Sequence, residues 1–187
     1  MSETVFMHPT AIVESDNVGE NTRVWAYTHI LKHAVIGRNC NICDFVFIEN
    51  DVVLGDDVTV KCGVYIWDGL TIEDRVFIGP AVVFTNDRTP RSKAYLDEYP
   101  RTVIREGASL GAGAVILPGI IVGRYAMVGA GAVVTRDVGD FALVFGNPAR
   151  QQGHVCQCSK QLVFANGSAT CSCGLRYQLK DARAWQV

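Results

Sequence analysis

The chain has 187 residues, 49% of them apolar, and a formal net charge of −2 at pH 7. That length suits one compact body with a sizeable core, and the near-neutral balance gives no broad basic surface, so nucleic acid is not an expected partner. The opening MSETVFMHPT lacks a basic stretch followed by an apolar run, and no segment approaches roughly eighteen consecutive apolar residues; neither a secretion leader nor a membrane span is expected, and the cytoplasm is the expected compartment.

Residues 1–11 lead into the first coil, with His8-Pro9 as a turn before the repeat begins. From there every sixth residue is large and apolar: Ile12, Val18, Val24, Ile30, Ile36, Ile42, Ile48, Leu54, Val60, Ile66, Ile72, Ile78 and Phe84. Glycine often follows the anchor (Gly19, Gly37, Gly55, Gly79), and the fourth residue on is small or β-branched, as at Thr22, Ala34, Cys40 and Val58. A period of six fits neither a helix nor a lone strand. It fits a solenoid in which short parallel strands alternate with tight turns, three hexads closing one triangular coil and anchors stacking at about 4.8 Å per coil. The expected class is all-β, with the anchors pointing into a prism. His29 and His33 fall on consecutive hexads and read as solvent-facing turn residues. With only His8 and His154 besides them, a three-histidine zinc site is hard to build on this scaffold. Cys40, Cys43 and Cys62 read as buried free thiols.

The period breaks once. After Phe84 the next anchor in register is Ile104, and the phase then holds through Leu110, Ile116, Val122, Val128 and Val134. The intervening polar stretch, residues 85–103, must leave the prism as a loop, and a long loop inside so regular a fold is more often functional than ornamental. It carries Arg88, Arg91, Lys93 and Arg101, with Tyr95 and Tyr99 for packing or stacking. The alternative role is a solvated loop gripping a neighbouring subunit. The later coils are rich in Gly and Ala, which lets another backbone or a narrow ligand arm approach. The repeat is expected to stop near Val138, with FALVFGNPAR closing it.

Residues 151–187 form a separate tail. Cys156-x-Cys158 and Cys171-x-Cys173 flank a hairpin whose Asn166-Gly167 suits a type I′ turn, the plan of a zinc ribbon with all four thiols as ligands. Both pairs are one residue short of the usual C-x₂-C, so a metal-free hairpin stands as the alternative. The division is therefore 1–150 for the solenoid and 151–187 for the tail.

The hexapeptide repeats, the excursion after Phe84 and the closing Gly146-Asn147-Pro148-Ala149-Arg150 resemble the left-handed β-helix acyltransferases. More narrowly, residues 60–93, with Phe84-Thr85-Asn86-Asp87 and Pro90-Arg91, look like N-acetyltransferases acting on nucleotide-linked 3-amino sugars. The nearest group takes dTDP-3-amino-3,6-dideoxyhexoses, and a sister group takes UDP-linked 3-amino uronates. The resemblance implies a homotrimer, acetyl-CoA in a groove between prisms, a role in surface glycan biosynthesis, and substrate contacts from Trp67, Asp87, Arg88, Arg91 and Lys93. Packed prisms would also cover flat faces and give the loop a neighbour to rest on.

The chemistry asks for a neutral amine, a fixed approach and oxyanion donors. Asp68 and Asn86 stand one coil apart beside the root of the loop, so Asn86 is placed to aim the amine and Asp68 to orient it or take a proton. The whole column Glu14, Lys32, Asn50, Asp68 and Asn86 is polar, which also fits a merely outward-facing position. Backbone amides around Gly111-Ala112 and Gly129-Ala130 are candidates for the pantetheine arm, and Arg136 and Arg150 for its phosphates. The alternatives are sugar O-acetylation, which normally wants a base such as histidine, and a non-catalytic scaffold with the tail as a docking element.

Overall fold

The computed structural model describes residues 4–187; of the opening segment, residues 1–3 lie outside the described residues. Among the described residues there is no helix, and nearly every hexad gives a strand of two or three residues followed by a corner, with Val18 and Val138 forming single bridges. Two side chains per hexad point inward, the anchor and the residue two before it. Val64 with Ile66 and Val76 with Ile78 show the pair, all buried. At most corners the third residue after the anchor takes positive φ, whether it is Asn39 (56°), Asp57 (59°), Gly63 (72°) or Gly113 (66°); His33 and Asp51 do not. Aromatic residues are strained in that conformation, and at Tyr27 and Phe45 the two rings stack with centroids 5.1 Å apart.

The solenoid has three faces, formed by sheets of ten, seven and five strands. Asn41–Ile42 and Thr59–Val60 belong to the first face, Phe47–Ile48 and Tyr65–Ile66 to the second, and Val52–Leu54 and Leu70–Ile72 to the third. We call the corner after each face by the same ordinal. Inter-coil pairing is parallel throughout and keeps anchor on anchor, Ile42 on Val60 and Ile48 on Ile66. One core of stacked Ile, Val, Leu and Ala runs the length of the prism.

Several details differ from the sequence reading. The solenoid begins earlier, because Phe6–Met7 already pairs with Arg23–Val24. In the first coil Val13, not Ile12, stands over Ile30; Ile12 lies over outward His29 and is 56% exposed. The turn between Val13 and Val18 is one residue shorter than a hexad. Pairing periodicity alone places the slip, since Val18 is again matched with Ile36. The coil also continues past Val138: Ala142–Phe145 lies parallel on Met127–Val128 and then reverses into Arg150–Val155, which pairs with it antiparallel. Cys62 is exposed rather than buried, because it stands on the first corner and not on an inward position.

The tail adds a three-stranded antiparallel sheet, Ser168–Thr170, Arg176–Lys180 and Arg183–Gln186. Asn166 and Gly167 both take positive φ, and Ala165 and Ser168 exchange backbone hydrogen bonds across them. A second small core gathers Cys156, Leu162, Cys171 and Tyr177 around Phe141. Phe141 stacks on Tyr125 of the coil below at 5.7 Å and meets Tyr177 edge-on at 5.2 Å.

Candidate active site

The loop leaves the prism at the second corner. Thr102–Ile104 is already a strand on Leu70–Ile72, so the excursion rejoins the prism two residues before Ile104. Both ends are tied down. The Arg88 guanidinium donates to the Pro118 carbonyl at 2.8 Å, and Arg101 pairs with Asp51 at 2.8 Å, so the charge of Arg101 already has a partner. Asp87 accepts from the Thr89 N–H at 2.7 Å, a local turn. Arg91 and Lys93 stand exposed farther out, the Arg91 guanidinium donating to the adjacent Pro90 carbonyl.

At the root of the loop the polar column resolves into two kinds of residue. Asn50 accepts the backbone N–H of His33 at 3.3 Å, and Asp68 accepts that of Asp51 at 2.7 Å. Each side chain thereby reaches the backbone of the coil beneath and holds the corner. By the same spacing Asn86 would accept from Gly69, but the Gly69 N–H already donates to the Asp51 carbonyl at 3.0 Å. Asn86 is half-buried, and among the described residues no hydrogen bond occupies its amide. Trp67 braces the strand that delivers it, its indole N–H donating to the Phe84 carbonyl at 3.0 Å. Beside Asp68, Glu49 accepts the Asp68 N–H at 2.7 Å. Burial pushes the Glu49 carboxyl up, and the Asp68 charge adds to that, against the lowering effect of this hydrogen bond. Asp51, Asp68, Asp97, Glu98, Tyr99 and Arg101 line one recess, whose excess of carboxylates attracts a cation such as an amino sugar's ammonium.

The expected cofactor residues fall into two groups. Gly79, Gly111 and Gly129 stack along the first corner, where an added Cβ would come within 2.8 Å of backbone or side-chain atoms of the next coil. These glycines are thus required by coil stacking itself. Ala112 and Ala130 stand exposed beside them, and an added Cβ at Gly113 or Gly131 would meet open space. At this corner the Gly111, Gly113, Gly129 and Gly131 amides donate to backbone carbonyls of adjoining coils, and among the described residues only the Ala112 and Ala130 amides meet no acceptor. Arg136 and Arg150 line a separate pocket at the end of the solenoid, with Thr135 and Gln151.

The sequence reading missed an aromatic cleft on the second face. His29, Phe47 and Tyr65 are stacked in register, and Tyr27, Phe45 and Trp67 complete it. Tyr27, Phe45 and Tyr65 are 60%, 56% and 51% exposed, a cluster of exposed aromatic surface rather than scattered single side chains. The signal was present: the residue just before the anchor in three successive second-face hexads is His29, Phe47 and Tyr65. His29 pairs with Glu14 at 2.9 Å and stands three rungs from Val83, about 14 Å at the usual rung spacing, so it does not reach the loop root of its own chain.

Comparison with known proteins fits this geometry. The bacterial transferase hexapeptide family (six repeats) matches residues 17–50 and 101–136. The dTDP-3-amino-3,6-dideoxy-alpha-D-galactopyranose 3-N-acetyltransferase of Aneurinibacillus thermoaerophilus is 61% identical over 186 residues, covering 100% of this chain and 97% of that protein. The chain belongs to the hexapeptide-repeat N-acetyltransferases. A hexapeptide-repeat acetyltransferase of Vibrio cholerae O1 biovar eltor, solved with acetyl coenzyme A, superposes with a TM-score of 0.52 at 27% identity over 65% of this chain and 67% of its own. GDP-perosamine N-acetyltransferase of Caulobacter crescentus, solved with CoA and GDP-perosamine, shares the fold alone, with a TM-score of 0.50 at 24% identity over 81% of this chain and 58% of its own. This acyltransferase therefore shares a known scaffold, and at its loop root the Asn86 amide has no hydrogen-bond partner among the described residues.

Proposed function

We propose that the chain transfers the acetyl group of acetyl-CoA to the 3-amino group of a dTDP-linked 3-amino-3,6-dideoxyhexose, supplying an N-acetylated sugar for surface glycan synthesis. The carrying observation is the 61% identity, over the full chain, to a relative named for that reaction on the galacto sugar. UDP-linked 3-amino sugars are the second choice. In the transfer the amine nitrogen forms a bond to the thioester carbon, the C–S bond breaks, and the proton lost by nitrogen ends on the departing sulfur, directly or through water. Asn86 Oδ1 accepts from an amine N–H and aims the nitrogen lone pair. Asp68, held by the Asp51 amide, orients from the coil beneath. Trp67, Asp87 and Arg88 shape the sugar side, and Arg91 and Lys93 meet the nucleotide's phosphates.

The amides of Ala112 and Ala130 receive the pantetheine arm, beside Gly111 and Gly129, whose own amides are held by the Val128 and Val144 carbonyls; Arg136 and Arg150 receive its phosphates. Because these two groups are separate on one chain, one ligand spans them with help from a neighbouring prism. A homotrimer supplies that neighbour. In support, the outward residues of the second face run His29, Phe47, Tyr65, Val83 and those of the third run Val35, Val53, Thr71, Val103, both mainly apolar, whereas the first face alternates Arg23, Asn41, Thr59 and Ser109 with Phe6, Phe77 and Met127. Second face against a neighbour's third face is a heterologous contact that can close a ring of three. The described residues include no helix able to cross a membrane; the cytoplasm, where acetyl-CoA is found, is the proposed site of action. The tail thiols enter no step of the transfer.

Free-thiol release from acetyl-CoA with a panel of dTDP- and UDP-amino sugars tests the reading. Turnover with the dTDP-3-amino sugar is expected; no turnover with any amine would refute it, and turnover with the 3-hydroxy sugar instead would establish O-acetylation. Calorimetry with coenzyme A separates the enzyme from a bare scaffold, which would show no heat of binding. A sedimentation mass near one chain at micromolar concentration would remove the trimer.

A further inference from the structure

We propose that Cys156, Cys158, Cys171 and Cys173 bind one structural zinc ion as a tetrathiolate, and that this ion fastens the tail as a cap on the open end of the solenoid. The four Sγ atoms lie within 4.8 Å of one another. Cys156 and Cys173 are 3.5 Å apart, as are Cys158 and Cys171. A tetrahedron with Zn–S bonds of about 2.3 Å has edges of about 3.8 Å, so the cluster needs at most about 1 Å of adjustment along any edge.

The short C-x-C spacing, which left the metal in doubt, turns out to be matched on both sides by one turn used twice. The Cys156 N–H donates to the Lys160 carbonyl at 2.8 Å, and the Cys171 N–H donates to the Leu175 carbonyl at 2.8 Å. Three residues after each first cysteine the N–H returns to that cysteine's carbonyl, Ser159 to Cys156 at 2.8 Å and Gly174 to Cys171 at 2.9 Å. Ser159 and Gly174 both take positive φ, 68° and 94°. In each knuckle the first cysteine is buried and the second exposed. Two equivalent knuckles related in this way present four sulfurs to one point, which two isolated hairpins have no reason to do.

A second observation bears on the charge of that point. Tyr177 is fully buried, its hydroxyl accepts the Gln157 N–H at 3.1 Å, and it donates to Cys156 Sγ at 3.1 Å. A buried hydroxyl aimed at sulfur is poorly used by a neutral thiol, a weak acceptor, and well used by a metal-bound thiolate. Tyr177 in turn rests on Phe141, and Phe141 on Tyr125 of the coil, so the ion lies one aromatic contact from the prism. Arg150–Val155 meanwhile covers the last solenoid strand, the edge that would otherwise template another chain. A tail this small gathers few buried apolar side chains, and a metal supplies what its core cannot.

The test uses the full chain, purified under reducing conditions without chelator. Elemental analysis is expected to give about one zinc per chain, and Cys158→Ser with Cys173→Ser, which alters the two exposed ligands, is expected to lower that to near zero. Exchange with Co(II) should produce the intense visible bands of a tetrahedral thiolate site. Chelation should release the zinc, make four additional thiols titratable, and lower the melting temperature of the holoprotein. Metal-free protein with all tail thiols titratable from the start would overturn the proposal. So would an intact mass four hydrogens short, since two disulfides would then hold the tail. Both readouts are made on the unmodified chain, so a variant that fails to fold does not shield the idea.

Discussion

The third corner and the first are built from the same hexad and end differently. On the third, acidic side chains close the outward amides: Asp56 accepts from Arg38 at 2.8 Å, Asp74 from Asp56 at 2.8 Å, Glu73 from Glu106 at 2.9 Å and Asp140 from Arg124 at 2.8 Å. On the first, the Ala81, Gly113 and Gly131 amides already meet backbone carbonyls, and among the described residues those of Ala112 and Ala130 meet no acceptor. One corner is finished by its own chain; the other leaves donors for something else. The second corner contains both kinds of residue, Asp68 tied to the coil below and Asn86 untied, with the loop departing at Asn86. Hydrogen-bond satisfaction, rather than residue type, separates scaffold from site here.

Four experiments break or sharpen that contrast. The largest effect is expected at the untied residue: Asn86→Ala should lower kcat/KM on the amino sugar about 100-fold, roughly 2.7 kcal/mol of transition-state stabilisation, with coenzyme A affinity and oligomer mass unchanged. Steady-state kinetics at near-native rates would mean that the loop root is only the wet side of the coil. Next comes Ala130→Asp, which gives the bare corner an acceptor like that of the third. The new carboxylate competes for the amide and repels an anionic cofactor, so KM for acetyl-CoA should rise about tenfold, near 1.4 kcal/mol, without loss of melting temperature. An unchanged KM would remove the first corner from the cofactor path.

Asp74→Ala makes the opposite change, stripping the third corner of one acceptor for Asp56. Denaturant titration should show a loss of about 1 kcal/mol and assays no kinetic change; altered kinetics would show that this corner is not merely structural. The smallest effect is expected from Asp68→Asn, which keeps an oxygen for the Asp51 amide. The rate should fall less than about threefold, with the pH profile retaining its shape. A severe loss that also flattens the acidic limb would make Asp68 a base and overturn its assignment to positioning.

Much of this was legible in the residues. Inward positions follow from a period of six because burial alternates locally, and Val24 through Val134 behave accordingly. Ile12 was misjudged because a one-residue deletion in a turn shifts pairing without altering composition: Val13, adjacent and equally apolar, took its place. The aromatic cleft escaped because its members are 18 residues apart and become neighbours only across coils.

The repeat by itself thus determined the prism, its three faces and the point where the loop departs, because each depends on spacing along the chain. Tertiary structure decided which polar groups are already held and which are not. Asn50, Asp68 and Asn86 share one hexad position, yet only the first two find a backbone donor, because the Gly69 amide that would have met Asn86 is bonded to Asp51 instead. The four tail sulfurs likewise converge only once both knuckles are folded against Tyr177. Spacing is a property of the chain, whereas satisfaction of a donor depends on what the neighbouring coil brings within about 3 Å.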